Sequence, residues 1–123
     1  MKATLDEVTL NGVVYVPKND AASIAPLVEG MPLVIIRASQ SGVHYGYLKS
    51  RTADVVELVN SRRLWYWSGA ASLSQLAVDG SSKPDACKFS VITPNITVLG
   101  VCEVITVTKT AQKNIDGVPT WKA

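Results

Sequence analysis

The chain has 123 residues, which suffices for one compact domain or for a domain with an appended hairpin. Its net charge of +2, from 12 basic and 10 acidic residues, is too weak for a protein that holds nucleic acid by charge alone. Charged residues make up 18%, below the usual share of about 25%, and 47% are hydrophobic. This balance favours a protomer that buries surface in a homo-oligomer, and a monomer rich in Ser and Thr is the alternative.

No feature of the sequence indicates a membrane or secreted protein. The apolar runs fall short of the roughly 20 residues that a membrane-spanning helix needs, and no signal sequence opens the chain. We therefore expect a soluble cytoplasmic protein in which Cys87 and Cys102 stay reduced. Two cysteines and one histidine are too few for a zinc site, so no metal is predicted.

A β-hairpin is predicted for residues 1–17. Leu5–Leu10 and Val13–Val16 flank Asn11-Gly12, a dipeptide that strongly favours a two-residue hairpin turn. An isolated hairpin is only marginally stable. We therefore expect it to pack on the main domain or on a neighbouring chain.

Residues 18–32 are predicted to connect this hairpin to the main domain at residues 33–123. The connector contains a short predicted helix over Ala21–Ala25, which Pro26 keeps from extending far. A connector beside a hairpin is also how strand exchange between protomers arises.

The main domain begins with a predicted four-strand meander, because β-favouring segments alternate with turn-rich ones. The predicted strands are Leu33–Ala38, Val43–Lys49, Ala53–Val59 and Arg62–Trp67. Alternation in the last strand places Arg63, Trp65 and Trp67 on one face and Arg62 on the other.

A helix is predicted over residues 69–79, directly after the meander. Ser68 would cap it with its hydroxyl, and Gly80 is a plausible stop. The alternative interpretation of Ser68, as a nucleophile, lacks a nearby base because the chain has a single histidine.

The remaining chain is predicted to complete the sheet and add a second helix. Lys88–Ile92 is a short strand that Pro94 stops, and residues 96–107 form a long run rich in β-branched residues with a bend or bulge at Gly100. Lys109–Asp116 is a helix, followed by a tail whose tryptophan should dock on another surface. The predicted fold class is α+β: a twisted antiparallel sheet that curls toward a barrel-like form, with one packed helix and a short C-terminal helix.

The best candidate for a ligand site is the corner between the last meander strand and the first helix. Helix N-termini attract anions, arginine binds phosphate in a bidentate manner, and aromatic rings stack on bases. The predicted ligand-contacting residues are His44, Tyr45, Tyr47, Lys49, Arg62, Arg63, Trp65, Trp67, Ser68, Gly69 and Ala70. The alternative is that both tryptophans belong to the core and that the arginines are solvated or paired with Glu57.

Catalytic motifs give no support to an enzyme. The sequence contains no Walker loop, GxGxxG, HExxH or GxSxG pattern, and its carboxylates are scattered. A Cys87–His44 pair lacks a surrounding nucleophile motif. We expect a protein that binds without turnover and that uses no cofactor.

The run from Arg62 to Ala77, with its Arg-Arg-Leu-Trp-Tyr-Trp-x-Gly-Ala-Ala-Ser-Leu-Ser-Gln-Leu-Ala core, resembles a family of small proteins of unknown function from tailed bacteriophages and prophages. Gly46–Ser50 and the ending Val118–Lys122 support the resemblance, which spans roughly residues 33–122. The resemblance implies an accessory phage protein in the host cytoplasm and brings no catalytic residues.

Two binding functions agree with these observations. The first is an anti-defence sponge that sequesters a nucleotide-type immune signal in a homo-oligomer. The second is an inhibitor or adaptor that contacts a host protein through its aromatic corner, where Trp and Arg are typical anchors. A single-strand nucleic-acid binder needs more positive charge than +2, and a structural virion part is a further alternative.

Overall fold

A computed structural model describes residues 24–123 and, before them, the backbones of two short strands. These strands, β1 (Val8–Leu10) and β2 (Val13–Tyr15), pair antiparallel with Leu10 opposite Val13. The predicted turn at Asn11-Gly12 and the start of the predicted helix at 21–25 lie outside the described residues.

The chain is extended where it enters the described domain. Ile24 forms an antiparallel bridge with Thr108, and the amide of Ala25 donates to the Val107 carbonyl over 3.0 Å. The predicted helix over 21–25 is therefore wrong at its last two residues, because they pair with the extended segment at Val107 and Thr108 instead of forming a helical turn.

The main domain has the predicted α+β fold, built on one antiparallel sheet. Its strands are β3 (Leu33–Ala38), β4 (Gly42–Thr52), β5 (Val55–Tyr66), β6 (Lys88–Phe89), β7 (Thr93–Val98) and β8 (Val101–Thr106). They run in the order β6-β5-β4-β3-β8, and β7 pairs with the first half of β5. The sheet is not closed into a barrel.

One long strand, β5, replaces two predicted strands and the turn between them. Asn60 adopts a φ of 51°, and the pairing with β4 slips by one residue between Val59 and Arg62. This is a β-bulge, which adds a residue without ending the strand. It also reverses the faces, so that Leu58 packs in one core and Leu64 in the other.

The turn between β4 and β5 lies later than predicted. β4 continues through Thr52, and Ala53 makes the turn with a φ of 55°. The prediction relied on turn-favouring side chains at residues 50–52, but cross-strand pairing of Ser50, Arg51 and Thr52 with β5 keeps them extended.

β7 begins at Thr93 and includes Pro94, which was predicted to stop a strand. A proline is tolerated here because, among the described strands, β7 pairs only with β5. The predicted bend at Gly100 is confirmed, with a φ of 73°. The Gly100 carbonyl accepts from the Ser39 amide over 2.9 Å, which connects the β7–β8 turn to the end of β3.

Each face of the curled sheet carries its own core. The inner core is formed by Val34, Ile36, Ala38, Val56, Leu58 and Val98. The outer core lies between the sheet and the helices, with Leu33, Ile35, Tyr45, Leu64, Leu76, Phe89, Val107, Ala111 and Ile115 among its buried members.

Two helices cover the outer face. α2 (Lys109–Asp116) has its predicted bounds, and Thr108 Oγ1 accepts from the Ala111 amide as its cap. α1 (Leu73–Asp79) is joined to α2 by Asn114, whose side chain bonds both backbone groups of Ser81 over 2.7 and 2.8 Å. Neither helix of the described chain has the length and apolar character needed to cross a bilayer.

Candidate functional site

Arg62 and Arg63 lie on opposite faces of β5, as alternation predicts. Arg62 is 4% exposed, whereas Arg63 and Trp65 lie on the solvent side. The strand ends at Tyr66, so strand alternation does not set the position of Trp67. Trp67 is half-buried and packs against the outer core.

Each nitrogen of the Arg62 guanidinium donates to a backbone carbonyl of the protein. Nε donates to the Ser90 carbonyl over 3.0 Å, Nη1 to Ile115 over 2.8 Å, and Nη2 to Val118 over 3.1 Å. Burial lowers the pKa of Arg62, while the nearby Asp116 carboxylate acts in the opposite direction. Because these N–H groups already bond the carbonyls at the end of α2 and in the segment after it, Arg62 is not available for bidentate binding of a phosphate.

The predicted anion site at the start of the first helix is absent, because the helix begins later than predicted. Ser72 is the cap of α1, and its hydroxyl accepts from the Gln75 amide over 3.1 Å. Ser68 precedes the helix by several residues, and its carbonyl accepts the Ser81 hydroxyl. The predicted start at 69 is therefore wrong.

Gly69 is closed off by the loop after α1. A Cβ at Gly69 would lie 2.6 Å from the Lys83 backbone nitrogen, and the Gly69 carbonyl accepts from the Ser82 amide over 3.0 Å. Ala70 packs against the outer core. Residues 81–83 fill the side from which a Cβ at Gly69 would project, so a substitution at Gly69 tests packing and not ligand access.

A surface groove lies beside Arg63. We call it the Arg63 groove; it encloses about 250 Å³ and is lined by Gln40, Ser41, Gly42, Val43, Arg63, Leu64, Trp65 and Trp67. No acidic residue lines it. The Arg63 guanidinium makes no hydrogen bond or ion pair within residues 24–123, so it is free to bind an anion. Three predicted residues, Arg63, Trp65 and Trp67, thus meet in one groove.

An aromatic pair extends this surface. Trp65 is 61% exposed, and its ring lies 5.3 Å from that of Trp121 at a tilt of 34°. The Lys88 ammonium lies 5.7 and 5.5 Å from the two ring centroids, a cation–π arrangement. The predicted docking of the tail is confirmed, because the Trp121 amide donates to the Phe89 carbonyl over 2.9 Å. Lys88 was not predicted at this surface, because the residues next to Lys88 in sequence give no indication that it lies beside two tryptophans.

Tyr45 and Tyr47 line a different cavity, on the outer face. This tyrosine cavity encloses about 220 Å³ and is lined by Leu33, Tyr45, Tyr47, Asn60, Arg62, Ile92 and Asp116. Tyr45 donates its hydroxyl to Asp116 Oδ1 over 2.8 Å, and burial, aided by that bond, raises its pKa. The carboxylate of Asp116 disfavours a phosphate here, so these tyrosines do not join Arg63 in one site.

His44 is buried at 1% exposure on the inner face, opposite Arg63 on the neighbouring strand. Its Nε2 lies 2.9 Å from Ser41 Oγ. Burial and, second, the charge of Arg63 lower the pKa of His44 to about 4, so the ring is neutral at pH 7. It lines a histidine cavity of about 180 Å³ with Ser61, Arg63, Ser90, Val91, Thr93 and Ile96.

Lys49, another predicted ligand-contacting residue, does not reach the Arg63 groove or either cavity. Lys49 is exposed farther along β4 and lines neither the Arg63 groove nor the two cavities. Among the residues that the structure describes, no three His, Cys, Asp or Glu side chains gather as a metal site would require. Ser61 and Thr93 were not predicted as site residues. They reach His44 through the β5 bulge and the pairing register of β7, which local sequence does not reveal.

Comparison with known families identifies the chain at the level of a domain. A domain of unknown function, DUF6948, matches residues 31–115, which is most of the chain, and the protein belongs to that family. No curated protein and no solved structure matches the chain significantly.

Proposed function

We propose that this protein binds and sequesters a nucleotide-type signalling molecule in the Arg63 groove, without turnover. The observation that carries the proposal is a groove that Arg63, Trp65 and Trp67 line together, with no carboxylate among the described residues that line it. Guanidinium groups bind phosphate, and indole faces stack on bases.

The biological setting of the proposal rests on the resemblance to small phage proteins. A phage protein that captures a host immune nucleotide would act in the host cytoplasm as an anti-defence sponge. Sequestration needs affinity and abundance but no catalytic group, which agrees with a groove that has an anchor for charge and a surface for stacking.

The test is a fluorescence titration, since two of the three tryptophans of the chain lie in the groove. Cyclic dinucleotides and cyclic ADP-ribose isomers should quench the emission of the native protein. A charge-assisted hydrogen bond contributes about 1.5–3 kcal/mol, so Arg63→Met should weaken binding roughly tenfold to a hundredfold. Chromatography of the heated mixture should return the ligand unchanged.

Arg51→Met is the matched control, because Arg51 is also exposed but lies at the far end of β4. It should bind as the native protein does. Equal losses of nucleotide affinity in both variants would show that only the net charge matters. Ligand products that accumulate with time would show catalysis instead of sequestration.

A second function, contact with a host protein, is favoured by the aromatic pair. Trp65 and Trp121 present exposed rings beside Lys88, and tryptophan is enriched among the anchors of protein interfaces. If no nucleotide quenches the emission while Trp121→Ala removes binding to a host protein, the adaptor function replaces the sponge.

A further inference from the structure

The histidine cavity has the composition of an oxyanion site. It opens on the inner face of the curled sheet, where β4 contributes His44, β5 contributes Ser61 and Arg63, and β7 contributes Thr93. Of the charged residues in the described part of the chain, Arg63 alone lines it. A cavity with one cation, several hydroxyls and no carboxylate favours an anion over a cation or a neutral group.

Ser61 provides an independent reason to expect a ligand. Its residue is 2% exposed, yet its hydroxyl has no hydrogen-bond partner in the part of the chain that the structure describes. A buried hydroxyl without a partner is unfavourable. The hydroxyl of Ser90, by contrast, is occupied, because it donates to the Val91 carbonyl and accepts from the Arg63 amide.

The volume of the histidine cavity limits the size of the ligand that it can hold. At about 180 Å³ the cavity is smaller than the 300–1,000 Å³ typical of sites for drug-sized ligands. A whole nucleotide exceeds it, whereas one tetrahedral oxyanion is a suitable occupant. Arg63 lines both this cavity and the Arg63 groove, so its side chain is the element that the two spaces share.

We propose that the histidine cavity is a phosphate subsite, in which the Arg63 guanidinium and the hydroxyls of Ser61 and Thr93 bind one phosphate group. The inference rests on the proposed function where the phosphate belongs to a nucleotide whose base lies in the Arg63 groove. The same chemistry accepts free inorganic phosphate, so the subsite is testable without a nucleotide.

The experiment titrates the full chain with sodium phosphate and follows the imidazole proton resonances of His44, which need no assignment because the chain has one histidine. Phosphate should shift these resonances and raise the pKa of His44 above its value of about 4, because an anion favours the charged form. Sodium chloride at equal ionic strength should do neither. An equal shift with chloride would reduce the effect to screening and overturn the subsite.

Ser61→Ala separates binding from stability. It should weaken phosphate binding about tenfold or more while leaving the Tm without phosphate unchanged or raised, because it removes a buried hydroxyl that has no partner. Ser74→Ala, on the exposed face of α1, should change neither quantity. A Ser61→Ala protein that melts lower and binds phosphate as before would assign Ser61 a structural role and contradict the proposal.

Nucleotide titrations distinguish this proposal from the previous one. Binding of inorganic phosphate without any nucleotide supports the subsite and removes the sponge. Nucleotide binding that is unaffected by Ser61→Ala and by competing phosphate supports the groove and removes the subsite.

Discussion

Arg62 and Arg63 are adjacent in sequence, but their side chains lie on opposite faces of β5, one buried and the other exposed. Arg62 is 4% exposed and donates to the carbonyls of Ser90, Ile115 and Val118, which ties the end of α2 to the sheet. Arg63 projects to the other face, and its guanidinium has no partner among residues 24–123. One therefore contributes to stability, and the other is available for binding.

This division predicts unequal effects of the same substitution. Arg62→Met should lower the free energy of unfolding by about 3 kcal/mol or more, because several hydrogen bonds from a charged group are lost and buried carbonyls lose their donor. Arg63→Met should change it by less than about 0.5 kcal/mol, as is usual for an exposed side chain. Urea unfolding measures both, and similar losses would contradict the assignment of roles.

The buried neutral His44 predicts a loss of stability in acid. Its pKa is about 4 in the folded protein and about 6.5 in an unfolded chain. Between these values the unfolded chain binds the additional proton, so stability is full above pH 6.5 and falls as the pH drops toward 4. The expected loss is about 2–3 kcal/mol from this group.

His44→Gln is the control for that prediction, since it removes the only histidine. The variant's free energy of unfolding should change less between pH 6.5 and 4.5 than that of the native protein. Parallel pH profiles for the two proteins would show that other groups cause the acid sensitivity.

Local patterns predicted the elements that depend on nearby residues. α2 has its predicted bounds because Thr108 caps it and Gly117 follows it, and β3 is a short buried strand between turns. The positive φ of Asn60 joins two predicted strands into β5, and turn-favouring composition alone cannot distinguish such a bulge from a turn.

The candidate site was only partly predictable for the same reason. Ser68 and Ser72 are equally good caps by sequence, and the choice between them depends on the packing of Gly69 against residues 81–83. Alternation along β5 places Arg63 and Trp65 on one face, as predicted, whereas Trp67 follows the end of the strand and lines the groove for a reason that alternation does not supply. Contacts between distant segments, such as Tyr45 with Asp116, have no local signal.

The packing of Gly69 predicts a large effect for a small substitution. Gly69 and Gly30 both have positive φ, 85° and 78°, so alanine is strained at either position. Only at Gly69 does the added methyl also meet backbone, since nothing lies within 4 Å at Gly30. Gly69→Ala should therefore lower the free energy of unfolding by about 1–3 kcal/mol more than Gly30→Ala. Thermal melts of the two variants measure the difference, and equal losses would place the strain in the backbone alone.

The homo-oligomer stays a prediction, and exposed apolar side chains on the described domain are the reason to test it. Leu99 is 68% exposed, and Ile92 and Leu27 are also largely exposed. Light scattering at micromolar concentration should give a mass well above the 13.2 kDa of one chain. A mass of one chain throughout the concentration range would remove the oligomer and any site shared between chains.

Native mass spectrometry of the protein purified from bacteria with active nucleotide-based immunity tests the central claim most directly. The native protein should carry a small-molecule adduct that heat releases chemically unchanged, and the same spectrum reports the number of chains. Arg63→Met, purified in parallel and folded by circular dichroism, should carry little or none. Bare native protein, or an adduct of equal occupancy on Arg63→Met, would contradict sequestration in the Arg63 groove.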